Sequence, residues 1–150
     1  MKQIELVELS GKARDFLHLE TASDQIGLVA TVAQSYADAL YPDAGVVPWL
    51  RGLTVDGKPA GMVMCSEPTQ ENPDPWLWRL LVDKDYQGLG VGRFAVEQVI
   101  ARYRARGCSK LLVSWQPKPN NPGDFYKKLG FVETGELNDG EIVAAYLLNS

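Results

Sequence analysis

The chain has 150 residues, of which 45% are apolar and 23% are charged. These fractions are average for a globular protein and exclude disordered, collagen-like and disulfide-framework chains. The length predicts one domain over residues 1–150. Fifteen Lys and Arg against nineteen Asp and Glu give a net charge of −4, the wrong sign for binding nucleic acid backbones. We expect no nucleic acid partner, and the acidic balance is compatible with an amine ligand.

Cysteine usage and hydropathy exclude further classes. Cys65 and Cys108 are too few for a disulfide framework, and no Cys/His cluster has metal-ligand spacing, so we expect reduced thiols and no metal. No apolar run near the start is long enough for a signal peptide or a membrane span. We therefore expect a cytoplasmic protein without membrane contact. The oligomeric state stays open, a homodimer included.

The first half of the chain alternates between strand and helix patterns. Residues 2–9 alternate apolar and polar, which predicts an edge strand, and residues 23–40 carry apolar positions at helical spacing behind a Ser/Asp start. Residues 49–55 and 58–66 flank Asp56-Gly57. That dipeptide supplies the positive φ angles of a tight turn, so it predicts a β-hairpin.

The second half continues the alternation after a polar loop at 67–75. We predict a central strand, a long helix, a buried strand, a short helix capped by Asn121 and a hairpin at Asn138-Asp139-Gly140, over residues 76–82, 91–106, 111–115, 121–130, 131–135 and 141–148. The resulting order is β-α-β-β-β-α-β-α-β-β. It predicts an α/β (α+β) fold with a mixed, mainly antiparallel sheet of about seven strands flanked by helices.

The most informative segment lies between the predicted central strand and the long helix. It places glycines at alternate positions, Gly88, Gly90 and Gly92. Glycines let a ligand approach the backbone, and a helix start presents unpaired N–H groups to an anion. The segment therefore predicts a phosphate cradle.

Two common phosphate motifs do not match this segment. A P-loop needs a Lys-Ser/Thr pair, which is absent here. A dinucleotide fingerprint can be placed on Gly90, Gly92 and Ala95, but the strand at 111–115 ends without the acid that would hold a ribose. We therefore disfavour nucleotide binding of either kind.

A third motif does match. The stretch from Gln87 to Gly92 resembles the Q/R-x-x-G-x-G/A pyrophosphate loop of the GCN5-related N-acetyltransferases (GNAT), and residues 79–83 look like that family's lead-in strand. Phe125-Tyr126-Lys127-Lys128-Leu129-Gly130-Phe131 is similar to the family's F/L-Y-x-K-x-G-F segment. The resemblance implies a GNAT-like fold, acetyl-CoA as co-substrate and acetyl transfer to a primary amine of a small molecule. Residues 78–82 and 139–143 resemble the diamine and polyamine acetyltransferase branch.

The resemblance also implies site residues. Backbone N–H groups would hold the pyrophosphate, Arg93 would add a cation, and the strand before the loop would contact the thioester arm. The pyrophosphate residues are Gln87, Gly88, Leu89, Gly90, Val91 and Gly92, and the strand residues are Leu80, Leu81 and Val82. Many members carry an Asn where this chain has Pro119, so whether Asn120 or Asn121 contacts CoA stays open.

Tyr126 is the candidate acid that protonates the leaving thiolate, the alternative being an ordinary core tyrosine. Some group must also take a proton from the amine, and no single residue stands out for this role. Glu141 is a candidate for it and is our first choice for attracting a cationic substrate. Glu67, Glu71 and Asp74 are further candidates, although each is more often a solvated loop acid. Four aromatic residues are candidates for an amine pocket or for the core, namely Trp49, Trp78, Tyr36 and Tyr41, and His18 is read as a surface residue. A CoA-binding module without turnover is the alternative function.

Overall fold

A computed structural model describes residues 2–22 and 30–149. Within these residues seven strands form one sheet, and three helices and two short 3-10 turns, Ala13–Phe16 and Lys84–Tyr86, lie around it. The strands are β1 (Ile4–Val7), β2 (Pro48–Val55), β3 (Lys58–Ser66), β4 (Trp76–Val82), β5 (Lys110–Trp115), β6 (Val132–Asn138) and β7 (Glu141–Leu147). The helices are α1 (Val32–Leu40), α2 (Val91–Ala105) and α3 (Gly123–Lys128). The predicted fold class is confirmed.

The strand order is β1-β2-β3-β4-β5-β7-β6, which places β4 at the centre. The β4–β5 pair is parallel and the other neighbouring pairs are antiparallel. Pairing between β4 and β5 runs only to Leu77 and Val113. On the other side of β4 the register slips between Met64 and Cys65, so Trp78 is an extra residue. Such a bulge bends and twists a strand, which is the physical reason that β4 leaves β5 at this point.

Both predicted hairpin turns are confirmed by their backbone angles. Asp56 and Gly57 have φ of 50° and 80°, and Asp139 and Gly140 have φ of 49° and 79°. These pairs of positive φ values belong to the tight turn that matches the strand twist. The last hairpin is longer than expected, because β6 continues through Asn138.

Two helix starts differ from the sequence prediction. Helix α1 begins at Val32, where the Thr31 side chain accepts a hydrogen bond from the Gln34 N–H at 3.1 Å. The predicted start at 23–29 lies outside the described residues, but Ala30 is not helical, so the helix does not run unbroken over 23–40. The cap residue of α3 is Pro122 instead of Asn121, although the Asn121 side chain still accepts from the Gly123 N–H at 2.8 Å.

The sheet carries a separate apolar cluster on each face. The larger one packs α2 and α3 against the sheet and includes Val99 and Tyr103 of α2. The smaller one lies under α1 and the first 3-10 turn and includes Phe16, Met62 and Leu81. Burying both faces of β3 and β4 fixes their position. In the described ranges no helix combines the length and apolar character needed to cross a bilayer.

Candidate active site

The separation of β4 from β5 opens a cavity of about 1420 Å³. Its walls include Leu80 and Val82 of β4, Tyr126 of α3 and Glu141 of β7, together with the three glycines of the glycine segment. Beyond Leu77, the edge of β4 that faces β5 takes no part in the sheet ladder. An extended ligand can therefore pair with this backbone as an added strand.

The glycine segment has the backbone shape that an anion site needs. Gly88 and Gly90 have φ of 77° and 85°, and a Cβ at either position would meet no atom within 4 Å. Gly90 is the residue before α2, a helix of 15 residues. Its first-turn N–H groups lack intrahelical acceptors and carry the positive end of the helix dipole. The loop thus has open space above its glycines, a left-handed backbone and free N–H groups that can donate hydrogen bonds to an anion.

Gly92 is different from the other two glycines. A Cβ on Gly92 would lie 3.2 Å from the Phe125 ring. The missing side chain therefore serves the packing of α2 against α3, and a bulky substitution there disturbs the fold as well as any ligand.

Tyr126 is held by three aromatic rings. Trp115 stacks on it at 5.9 Å between centroids, and Phe125 and Phe131 pack edge-on at 5.1 and 5.5 Å. The side chain is buried, and burial raises the pKa of its hydroxyl, so the hydroxyl is protonated at neutral pH. Within the described ranges no protein group hydrogen-bonds to that hydroxyl. The residue is both core and cavity wall, with its donor free for a ligand.

Glu141 begins β7 and is half-buried. Its Oε1 accepts a hydrogen bond from the Ser114 hydroxyl of β5 at 2.7 Å. Among the described residues no cationic side chain lies within 4.0 Å of the Glu141 carboxylate. The carboxylate therefore has a neutral partner and keeps its negative charge uncompensated in the cavity wall.

The other candidate acids are placed differently. Glu67 accepts hydrogen bonds from Tyr103, Arg102 and Arg106. Burial raises the pKa of the Glu67 carboxyl, but these three donors outweigh burial and the net pKa is lowered. Glu67 is thus a structural anion, which corrects its candidacy as a base. Asp74 lines the cavity 3.9 Å from the Lys110 ammonium, and Glu71 is exposed.

Of the candidate pocket aromatics, only Trp78 lines the cavity, and Trp76 joins it unpredicted. The Arg79 guanidinium covers the Trp78 ring at 4.9 Å. Trp49 is buried between Arg51 and Arg102, the Tyr36 hydroxyl donates to the Ala13 carbonyl, and Tyr41 is exposed, so these three belong to the core or surface. His18 is exposed, as read from the sequence.

Most, but not all, of the residues predicted to contact the coenzyme line the cavity. Cavity walls include Leu80, Val82, Gln87, Gly88, Gly90, Val91, Gly92 and Arg93. The Leu81 side chain instead packs with Met62 on the opposite face, and Leu89 is exposed outside the cavity lining. Arg93 is exposed and lies 3.5 Å from Glu97. The Asn121 amide also donates to the Lys118 carbonyl, so both ends of that amide are occupied within the turn.

Comparison with known proteins places this geometry in a family. The model of the acetyltransferase (GNAT) family matches residues 14–131. The chain belongs to the GNAT family. The uncharacterized N-acetyltransferase ycf52 of Pyropia yezoensis is 25% identical over 124 residues, which cover 83% of this chain and 68% of that protein. This chain is an N-acetyltransferase of the same family.

Solved GNAT structures share the fold at low identity. The ribosomal-protein-S18-alanine N-acetyltransferase of Escherichia coli has a TM-score of 0.70 and 21% identity over 100% of this chain and 96% of that chain. The PaiA N-acetyltransferase of Thermoplasma acidophilum, solved in complex with coenzyme A, has a TM-score of 0.70 and 12% identity, covering 98% of this chain and 99% of that chain. GNAT folds typically bind acetyl-CoA, and the cavity has features that fit this molecule. The edge of β4 beyond Leu77 is not paired with β5, so it suits the extended pantetheine chain. The glycine loop has open space above its backbone, which suits the diphosphate.

Sequence reasoning missed two parts of the site. The first missed feature is the bulge at Trp78, because the mostly apolar sequence of β4 contains nothing that predicts a bulge. Ser114 did have a signal, because it is the polar residue within the strand Leu111-Leu112-Val113-Ser114-Trp115, and a polar side chain in such a strand needs a partner.

Proposed function

We propose that this GNAT enzyme transfers the acetyl group of acetyl-CoA to a primary amine of a small cationic molecule, with diamines and polyamines as the preferred class. The observation that carries the proposal is the cavity itself. It joins the glycine loop, the partnerless Tyr126 hydroxyl and the uncompensated Glu141 carboxylate.

The glycine loop supports coenzyme binding in this part of the cavity. Donors at the start of α2 would hold the diphosphate, and Arg93 would add a cation at its exposed rim. Leu80 and Val82 would present their backbone to the thioester arm. When bound, acetyl-CoA supplies an activated acetyl group and a thiol leaving group.

The chemistry needs one proton removed and one proton delivered. Glu141 would take a proton from the ammonium form of the amine, so that the nitrogen lone pair becomes available. Tyr126 would donate its hydroxyl proton to the departing sulfur, for which its protonated state and free donor are suited. An exposed acid, Asp139, also lines the cavity and would attract a second positive charge on a diamine.

The test is an amine panel with acetyl-CoA, read by release of free thiol. It contains 1,4-diaminobutane, spermidine, n-butylamine, an aminoglycoside and a peptide with a free amino terminus. We expect thiol release with the diamine or spermidine at a kcat/KM at least tenfold above that of n-butylamine. Preference for the peptide would overturn the proposed substrate class but leave acetyl transfer intact.

The alternative is a CoA-binding module without turnover. Binding of acetyl-CoA in a calorimeter, with no thiol released for any amine in the panel, would establish it. The Tyr126 hydroxyl favours the enzyme, because it has no described protein partner and belongs to a residue of the cavity wall, so it is available to protonate a departing thiolate.

A further inference from the structure

We propose that Ser114 is a positioning residue, which orients the Glu141 carboxylate toward the amine. This inference rests on the proposed function and adds a residue to it. The hydrogen bond from the Ser114 hydroxyl to Glu141 Oε1, at 2.7 Å between two half-buried side chains of the cavity wall, is its geometric basis.

The position of Ser114 in the sheet makes it suited to this role. It follows Val113, the last β5 residue paired with β4, and therefore lies where the two strands part. On its other side Ser114 pairs with Val143 of β7, so the backbone is fixed by the ladder. A side chain on a fixed strand holds its partner more narrowly than one on a loop.

The adjacent residue ties the same strand to the candidate acid. Trp115 stacks on Tyr126 at 5.9 Å. Successive residues of β5 thus contact the two groups that handle protons, Ser114 on Glu141 and Trp115 on Tyr126. Since neighbouring strand side chains point to opposite faces, Ser114 and Trp115 make these two contacts on opposite sides of β5, next to the point where β4 and β5 part.

The charge pattern distinguishes Glu141, whose carboxylate accepts from a neutral hydroxyl, from two other acids of the cavity wall. Glu67 is neutralised by Arg102 and Arg106, and Asp74 lies near Lys110. A serine occupies Oε1 without cancelling the charge, which leaves Oε2 negative for the ammonium. In the step, an ammonium N–H bond breaks, an O–H bond forms at Oε2, and the electron pair stays on the nitrogen.

Four variants test the inference, namely Ser114→Ala, Ser114→Thr, Glu141→Gln and the double variant Ser114→Ala/Glu141→Gln. Ser109→Ala is the matched control, because Ser109 is exposed just before β5. With the fastest amine of the panel, we expect Ser114→Ala to lower kcat/KM about tenfold, since hydrogen bonds to charged groups are the stronger ones. Ser114→Thr restores the hydroxyl and should stay within about threefold of wild type.

The double variant distinguishes a positioning role of Ser114 from a general loss of structure. In the Glu141→Gln background, loss of the Ser114 hydroxyl should change kcat/KM by less than about twofold, because no carboxylate remains to be held. The affinity for acetyl-CoA and the melting temperature of Ser114→Ala should match those of Ser109→Ala. An equal tenfold loss in both backgrounds would overturn the inference.

A binding measurement gives a readout without turnover. We expect 1,4-diaminobutane to bind the CoA complex of Ser114→Ala about three- to tenfold more weakly than that of wild type, by calorimetry. Unchanged binding together with unchanged kcat/KM overturns the role of Ser114 alone. Failure of wild type to release thiol with every amine overturns the proposed function, and the role of Ser114 with it.

Discussion

The Tyr126 side chain belongs both to the apolar core and to the wall of the cavity. The ring of Tyr126 lies in the main apolar cluster, clamped by Trp115, Phe125 and Phe131, while its hydroxyl meets no described protein group. The two interpretations made from the sequence, core tyrosine and general acid, are therefore compatible. The three ring contacts fix the position of the Tyr126 hydroxyl.

Replacing Tyr126 by Phe separates these two roles. The rings keep their contacts, and the lost hydroxyl leaves no described donor or acceptor unpaired, so stability should change by less than about 0.5 kcal/mol. Turnover should fall about 10²-fold, since a positioned acid contributes 10²- to 10⁴-fold. Steady-state thiol release and urea unfolding measure both. Wild-type turnover in this variant would remove Tyr126 as the acid.

Charge compensation distinguishes Glu141 from Glu67 and Asp74 in the cavity wall. We expect Glu141→Gln to lower kcat/KM for a diamine by about 10- to 100-fold, because it removes both the proton acceptor and an uncompensated charge. Asp74→Asn, next to Lys110, is the comparison and should cost less than about threefold. Initial rates at several amine concentrations and saturating acetyl-CoA give kcat/KM for both variants. The reverse order of effects would make Asp74 the base.

At the scale of elements, the site exists because two strands part and a helix starts beside the gap. The bulge at Trp78 turns β4 away from β5, and the loop through Gly88 and Gly90 directs the start of α2 into the opening. Substitutions here act through the backbone. Gly92 is a poor probe, because its Cβ would press on Phe125 before it met a ligand.

Gly90→Ala is the cleaner probe of the loop. Its Cβ would meet open space in the cavity, and the left-handed φ of 85° costs about 1–2 kcal/mol of stability for alanine. Gly107→Ala is the matched control, with φ of 77°, open space around its Cβ and a position beyond the far end of α2. We expect similar melting temperatures for the two variants.

Only Gly90→Ala should weaken acetyl-CoA binding, by about tenfold or more, because the added methyl group obstructs the approach of a diphosphate to the backbone. Isothermal titration with acetyl-CoA measures the difference. Equal affinity in the two variants would refute the loop as the anion site.

At the scale of the whole molecule, the large cluster buries groups that resist ionisation. Burial raises the pKa of the Cys65 thiol to about 12, from an ordinary value of 9.0, with a lesser increase from Glu67. Tyr103 and Tyr126 are also buried, and burial raises the pKa of both hydroxyls. In the unfolded chain all three would ionise at lower pH, which links folding to pH.

The sign of that linkage predicts alkaline destabilisation. Because the folded pKa of Cys65 lies above the unfolded one, its contribution is fully present below about pH 9 and is lost as pH rises toward about 12. The stability difference between wild type and Cys65→Ala should therefore shrink by about 2 kcal/mol between about pH 8 and pH 10.5. Urea unfolding at several pH values measures it. Cys108→Ala, at a half-buried position, controls for removal of a thiol, and a pH-independent difference for Cys65→Ala would contradict the prediction.

The sequence by itself determined the fold class, both tight turns and the glycine loop, because these depend on local patterns. Asp-Gly between two strand patterns favours a tight turn with positive φ, as both Asp56-Gly57 and Asp139-Gly140 show, and the periodicity of residues 91–106 closely matches α2. It also singled out Tyr126 and Glu141, whose proposed roles await the experiments above. The local sequence pattern could not place the start of α1 at Val32, because the Ser/Asp pair at the beginning of residues 23–40 is as suitable an N-cap as Thr31.

Only the tertiary structure decided which acids are free and how the cavity opens. Glu67 and Glu141 look alike in sequence. In the fold, Arg102 of α2 and Arg106 at its C-cap contact Glu67, whereas among the described residues Ser114 is the hydrogen-bond partner of the Glu141 carboxylate. The bulge at Trp78 depends on register with β3, which no run of residues encodes alone. Pairing between distant segments sets both features, so they appear only when the chain is folded.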